Sequence, residues 1–528
     1  MDPAFQLSDL AASSPQSAVE KFAVLHGRKE LEAGSDVTEK TYRSLIPTSL
    51  PDEGEQYAFE VDLDRCSACK ACVSACHHMN GLSSDESWRR VEQWFGESKN
   101  DSWFQTITSA CHHCVNPECM LGCPVGAYEK SPLTGIVKHL DDQCIGCEYC
   151  IWKCPYEVPK YHESHGVVRK CDMCSERLEN QLEPACVQAC PHDAIQIGIA
   201  SQDALINDLT HKRTLNQGIY PGAPPSSITQ PSSQYKSSHP RSEIFWTSLK
   251  LEKPEEKAHW PLIWMLVLSQ WGIGMLVGEW MYALKGRGIG VVNEVYFLGI
   301  GLFFAGLMAS VFHLGRPQKA WKFFLGLRTS WLSREILMFN IFSCMVVVDV
   351  LNRWFSWLPE TISSFWPGLL IFVGFGAVWS SCMIYHDTRR PQWDIFKTAS
   401  RFYGTVLLGL AFQTMVSKGF STGSTSGVGL ILACLVALGI SGAKVIQILS
   451  RQSARIHHLL SQKLITSSAV LLTLSLFILP YMTHTFLYGV GLTAAFILCL
   501  SMEILERFVF FKSSTPPVTQ VMHSIVKK

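Results

Sequence analysis

Residues 144–155 read CIGCEYCIWKCP, and residues 66–76 read CSACKACVSAC. Both contain the run C-x2-C-x2-C-x3-C. Three thiolates so close in sequence can cap one metal–sulfur cube, while the fourth cysteine, one helical turn on, ligates a neighbouring one. Working outward, sixteen of the chain's twenty cysteines fall between Cys66 and Cys190, in four groups of four. The groups are Cys66, Cys69, Cys72 and Cys76; Cys111, Cys114, Cys119 and Cys123; Cys144, Cys147, Cys150 and Cys154; and Cys171, Cys174, Cys186 and Cys190. Three groups end in Cys-Pro, at Pro124, Pro155 and Pro191. Structural zinc is the rival reading, since paired C-x2-C motifs also hold zinc. Zinc needs neither the triplet nor the terminal Cys-Pro, and the spacings are too tight for ordinary disulfides. The pattern points to iron–sulfur chemistry, with thiolates enough for four [4Fe-4S] clusters. Cys344, Cys382, Cys434 and Cys499 stand singly in apolar segments and read as small buried hydrophobes.

The net charge of zero across 528 residues hides a sharp division. Residues 1–258 are polar, residues 261–508 are dominated by apolar runs, and no basic excess points to nucleic acid. Residues 1–56 read as an N-terminal extension and residues 57–216 as the cluster domain. Strand-like pieces at Gly135–His139, Gly166–Arg169 and Ala194–Ile199 accompany the cysteines there. This is an α+β ferredoxin-like domain of two ferredoxin-type units, in which the clusters stand in for much of the core. Residues 217–258, rich in Pro, Ser and charge, read as a linker. The opening MDPAFQLSDLAASSPQ has neither a secretory signal pattern nor a twin-arginine pair, so export is expected only with a signal-bearing partner.

Eight apolar stretches follow, at about 261–284, 293–312, 335–358, 365–386, 403–420, 427–447, 464–483 and 487–508. Most approach the ~20 residues a helix needs to cross a bilayer. An all-α eight-helix transmembrane bundle over 259–511 is therefore expected, with a short tail at 512–528. A soluble helical bundle would leave almost nothing polar to face water. With the loops assigned alternately, the side of the cysteine domain carries Arg316, Lys319, Lys322, Arg328, Arg334, Arg389, Arg390, Lys397, Arg401, Lys444, Arg451, Arg455, Lys463, Arg507, Lys512, Lys527 and Lys528, seventeen in all. The opposite loops carry four: Lys285, Arg287, Arg353 and Lys418. By the positive-inside rule the cysteine domain faces the cytoplasm.

Residues 57–200 resemble the iron–sulfur subunit of the dimethyl sulfoxide reductase family of molybdoenzymes. The resemblance rests on CSACKACVSAC, CHHCVNPECMLGCPVGA, CIGCEYCIWKCPYEVPKY and CDMC…ACVQACPHDAI. Residues 259–511 resemble that family's membrane anchor, through HWPLIWMLVLSQ, ASVFHLGRPQKA, SWLSREI and a terminal E-x2-E-R-F-V-F. The resemblance implies two subunits fused, electron exchange with quinol (menaquinone or ubiquinone as the exchangeable substrate), and a separate molybdopterin-containing catalytic subunit as partner. It also implies a cluster pairing: Cys66, Cys69, Cys72 with Cys190; Cys171, Cys174, Cys186 with Cys76; Cys111, Cys114, Cys119 with Cys154; Cys144, Cys147, Cys150 with Cys123. Related nitrate reductases carry Trp at the position of Cys147 and a three-iron cluster there; the cysteine here implies four cubanes. Direction of flow stays open between anaerobic respiration and sulfur-compound oxidation. A formate or polysulfide oxidoreductase is the alternative within redox chemistry. An energy-converting pump is the alternative outside it, although the spans show few acids beyond Glu279, Asp349 and Glu503.

Quinol oxidation releases protons, so its site needs a protonatable partner. His313, at the end of the second stretch, and Glu335, at the start of the third, are the candidates. His313 could equally be an interfacial histidine, and Glu335 a carboxylate complementing a helix dipole; the match of HLG to the family's quinol-site histidine favours His313. Glu279 is a weaker third candidate. No convincing histidine pair for haem axial ligation is evident, and no haem is expected.

Overall fold

EQYAFEVD forms β1 (Glu55–Asp62), which buries Tyr57, Ala58, Phe59 and Val61. The computed structural model describes residues 45–84, 86–97, 102–207, 218–220, 223–238, 245–248, 258–284, 294–421 and 485–512. It divides into two units between Lys253 and Pro254. In the first unit β1 is followed by α1 (Ala71–Met79), β2 (Arg90–Glu97), β3 (Ser102–Ser109), α2 (Glu118–Leu121) and a hairpin of β4 (Tyr128–Lys130) with β5 (Val137–His139). Then come α3 (Tyr149–Lys153), a hairpin of β6 (Lys160–His162) with β7 (Val167–Arg169), α4 (Ser175–Glu179), α5 (Ala185–Gln188) and β8 (Ile195–Ser201). Last are β9 (Gln234–Lys236) and β10 (Phe245–Ser248).

Central β1 pairs antiparallel with β8, Tyr57 opposite Ile199, and parallel with β9, Val61 opposite Tyr235. Strand β2 runs antiparallel to both β3 and β10. The expected strand pieces are β5, β7 and β8. The core is a mixture: Phe59, Val61, Trp88, Ile107 and Ile195 pack with Cys72, Cys76, Cys111, Cys154, Cys171 and Cys186. Apolar side chains alone do not fill it.

The reading of 217–258 as a linker is corrected where the segment is described. Residues 234–236 and 245–248 are strands of the two sheets. The Ser232 hydroxyl donates to the His112 carbonyl (2.8 Å), Ser233 meets the His112 ring (3.0 Å), and the Tyr235 hydroxyl donates to the Thr108 carbonyl (3.2 Å). Polar residues are buried there because their hydrogen bonds are made. The end of the supposed N-terminal extension also belongs to this unit, for Leu45 is buried and its carbonyl accepts from the Ile197 amide. Residues 1–44 fall outside the described residues.

The second unit holds α6 (Trp260–Leu284), α7 (Glu294–Val311), α8 (Trp331–Phe355), α9 (Glu360–His386), α10 (Ile395–Ser421) and α11 (Thr485–Lys512). Among the described residues, four helices, α6 to α9, are long and apolar enough to cross a membrane, with mean hydropathies of 1.5 to 1.8. The expected stretches at 427–447 and 464–483 lie outside the described residues. Helix α6 packs against α7, α9, α10 and α11. Glycines let the backbones approach: a Cβ on Gly272 would stand 2.6 Å from the Gly299 carbonyl oxygen, and one on Gly409 2.6 Å from that of Trp271.

Candidate iron–sulfur centres and the polar interior of the helical unit

The cysteine runs turn through left-handed backbone. Ala68 (φ 62°), Gly146 (68°) and Met173 (62°) each lie two residues after the first cysteine of a group, and Lys70 (62°), Glu148 (58°) and Cys174 (49°) each precede the helix that follows. Such conformations build concave nests of amides that suit anionic clusters. The Gly146 and Met173 amides donate to the sulfurs of Cys144 (3.3 Å) and Cys171 (3.4 Å). After Lys70 and Glu148 the chain enters α1 and α3 directly, which carry Cys72 and Cys76, and Cys150 with Cys154 at the end. After two of the Cys-Pro steps, the amide four residues on returns to the cysteine: Ala127 to Cys123 (3.2 Å) and Ala194 to Cys190 (3.3 Å).

These turns gather the thiols across the groups. Cys66, Cys69, Cys72 and Cys190 line one cavity. Cys76, Cys171, Cys174 and Cys186 line another. Cys111, Cys114, Cys119 and Cys154 lie within electrostatic range of one another, as do Cys123, Cys144, Cys147 and Cys150. All sixteen are free of disulfides. Burial pushes the thiols of Cys72, Cys119, Cys150 and Cys171 up, that of Cys154 to about 11, and that of Cys174, beside Cys186, to about 12. Cys144 departs from this: burial raises it, but the His139 ring and backbone amides more than offset burial and hold it below the usual thiol range. Clustered, buried thiols with inward amides are poorly placed to ionise alone and well placed around a cationic metal core. The residues present therefore fit iron–sulfur clusters.

Two buried cations among these thiols carry no motif in the sequence. Lys170 Nζ donates to the carbonyls of Val137 and Cys171 (2.9 Å to the latter) and stands 3.6 Å from Cys111 Sγ. Arg89 is 2% exposed and faces Cys72, Cys76, Cys171 and Cys186.

In the helical unit His313 lies two residues past α7, and its ring meets that of His259 edge to face at 5.3 Å. His259, just ahead of α6, also lies 5.9 Å from the Phe511 ring. The opening of the anchor-like segment, HWPLIWM, carried His259 in view without suggesting this pairing. Glu335 sits inside α8 rather than at its start, buried, and accepts a short hydrogen bond from the Ser381 hydroxyl of α9. A buried carboxylate answered by one neutral hydroxyl differs from the others here. Glu506 pairs with Arg401 (3.3 Å) and Arg507 (2.7 Å), and Arg507 also donates to Gln270 (2.8 Å) and Thr405 (2.9 Å). Thr405 in turn donates to Glu503 (2.5 Å). Glu279 is held by Gln413 (3.0 Å) and Arg353 (3.6 Å), and Asp349 by Arg353, Tyr296 and Trp280. Of the single cysteines, Cys382 and Cys499 are buried, whereas Cys344 is exposed, contrary to expectation; Cys434 lies outside the described residues.

Known proteins agree with this division. Residues 103–200 match the 4Fe-4S dicluster domain, and residues 256–512 match the DMSO reductase anchor subunit (DmsC). The B subunit of the anaerobic dimethyl sulfoxide reductase of Haemophilus influenzae is 37% identical over 186 residues, 34% of this chain and 87% of that protein. Its counterpart in Escherichia coli K12 is 38% identical over 151 residues, 27% of this chain and 73% of the relative. The hydrogenase-2 operon protein HybA of Escherichia coli O157:H7 is 32% identical over 202 residues, 33% of this chain and 59% of the relative. This polypeptide is an iron–sulfur electron-transfer protein fused to a membrane anchor, and it belongs to the family of dimethyl sulfoxide reductase B subunits, joined without a break to an anchor of the DmsC type.

Proposed function

We propose that this chain passes electrons between the membrane quinone pool and a separate molybdopterin-containing catalytic subunit, through four [4Fe-4S] clusters and an eight-helix anchor. The observation that carries the reading is the gathering of sixteen thiols into four sets of four on a polypeptide that continues into a DmsC-type anchor. Bound clusters supply one-electron transfer. The protein's own part is to hold them in line: α1 carries Cys72 and Cys76 into adjoining sets, α2 with the turn after it does so for Cys119 and Cys123, and α3 for Cys150 and Cys154. Each short helix thus fixes the spacing between two neighbours. The loop charges support a cytoplasmic cluster domain in a bacterial inner membrane.

His313, with His259 beside it, is the hydrogen-bonding partner of quinol in this reading, since a neutral imidazole can accept the proton that leaves with the electron. Glu335 is the second proton acceptor, a buried carboxylate with a hydroxyl rather than a cation as its hydrogen-bond partner. The experiment is cluster reduction by added quinol under anaerobic conditions. His313→Ala should lose it by at least tenfold while dithionite still reduces every cluster. Glu335→Gln should retain binding of a quinol analogue but slow turnover, with an altered pH profile. Near-normal quinol oxidation in His313→Ala would move the site elsewhere.

A further inference from the structure

Arg89, the residue before β2, is an isolated charge. Its Nη1 donates to the Thr108 hydroxyl at 3.2 Å, and its guanidinium lies 4.7 Å over the Phe59 ring. Nε and Nη2 are buried with no hydrogen-bond partner, and no carboxylate pairs with the group among the described residues. A guanidinium does not shed its proton, so a full positive charge sits in the core. Burying such a charge without a counter-ion is strongly unfavourable. The largest negative influences on it come from cysteine, Cys186, Cys72, Cys171 and Cys76 in that order, and the Asp172 carboxylate lines the same cavity without pairing to it.

Those four thiols belong to two sets. Arg89 lines the cavity of Cys76, Cys171, Cys174 and Cys186. Its acceptor Thr108 lines the other cavity, where the threonine Oγ1 lies 3.8 Å from Cys72 Sγ. The guanidinium therefore lines one cavity and donates to a hydroxyl whose residue lines the other. Lys170 differs: it too lies beside thiols of two sets, but it donates to backbone carbonyls.

We propose that Arg89 is an electrostatic bridge between the two clusters held by these sets, raising the reduction potential of both and keeping them matched for electron exchange. The inference rests on the reading that each set holds a cluster. Reduction adds one electron to a buried, already anionic site, and a fixed neighbouring cation favours that state. When the electron moves on, the donor cluster loses what the acceptor gains, and Arg89 keeps its proton throughout.

The test is iron analysis and potentiometric titration of the full chain, followed by electron paramagnetic resonance. Wild-type protein must first show four clusters; fewer would defeat the four-cluster reading before any variant is compared. Arg89→Gln with full iron content should lower two of the four midpoint potentials by a tenfold or larger change in equilibrium constant, about 59 mV for one electron. The other two should stay put, and Arg89→Lys should keep most of the wild-type values. Fully loaded Arg89→Gln with unmoved potentials, or with all four shifted alike, would overturn the proposal. If Arg89→Gln loses iron, Thr108→Val decides. A fall confined to the Cys72 cluster supports the bridge, and unchanged potentials refute it.

Discussion

A thiolate buried without a cation is costly, and the cysteines of this chain are mostly buried. At the residue scale their identity is therefore set by what they hold. Cys147→Trp leaves three thiols, Cys123, Cys144 and Cys150, in its set. The expected outcome is a three-iron cluster, read as the loss of one iron per chain and a new signal in oxidised protein. A different residue tests the scaffold. Lys153 on α3 pairs with Glu118 on α2 at 2.5 Å, both largely buried. Lys153→Met removes the cation from this buried pair, and the loss should be about 3–5 kcal/mol, seen as a lower temperature of cluster bleaching. The sixteen ligand candidates could be singled out because their spacing is local, and His313 could be singled out as a candidate through its motif. Arg89, Lys170 and His259 were not, because what makes each notable is a neighbour far away in sequence: Cys186, Cys111 and His313 respectively.

At the scale of elements, the close approach of α6 to α10 is the most exacting contact. A Cβ on Gly274 would run into the Val406 carbonyl oxygen, which is backbone and cannot rotate away. Gly274→Val should therefore cost about 1–3 kcal/mol or more and leave little detergent-stable protein. Size-exclusion profiles of the solubilised variant check this, with Gly301→Ala, which meets nothing within 4 Å, as the neutral comparison. The strands β5, β7 and β8 could be anticipated from short apolar runs beside turn residues. Their partners β4, β6 and β1 were not, nor were β9 and β10. A three-residue strand such as β9 has no periodicity to read; its pairing to β1 is decided by a ladder to residues more than 170 positions earlier. The apolar helices stood out because a run of some twenty apolar residues is a strong local signal. Helix α10 begins earlier than expected, at Ile395, because Arg401, a charge that argues against a span in sequence, is buried and paired to Glu506.

For the whole molecule, a core in which cysteines stand among the apolar side chains should depend on its metal. Anaerobic chelation of iron is expected to make residues 45–238 protease-sensitive while α6 to α9 stay protected in the membrane, read by fragment mapping. Orientation is a second whole-molecule property. Counted without Arg401, Arg507 and Arg353, which are paired inside helices, fifteen basic residues against three predict that a C-terminal alkaline phosphatase fusion is inactive and a cytoplasmic reporter active; the reverse would place the cluster domain across the membrane. The central claim is that four clusters lie along one chain. Iron and acid-labile sulfide analysis of anaerobically purified protein, with electron paramagnetic resonance through a full reductive titration, tests it most directly. The account predicts sixteen irons per chain, one for each cysteine between Cys66 and Cys190, and four cubanes with no three-iron signal. A plateau at about eight irons, or stoichiometric zinc in their place, would contradict it.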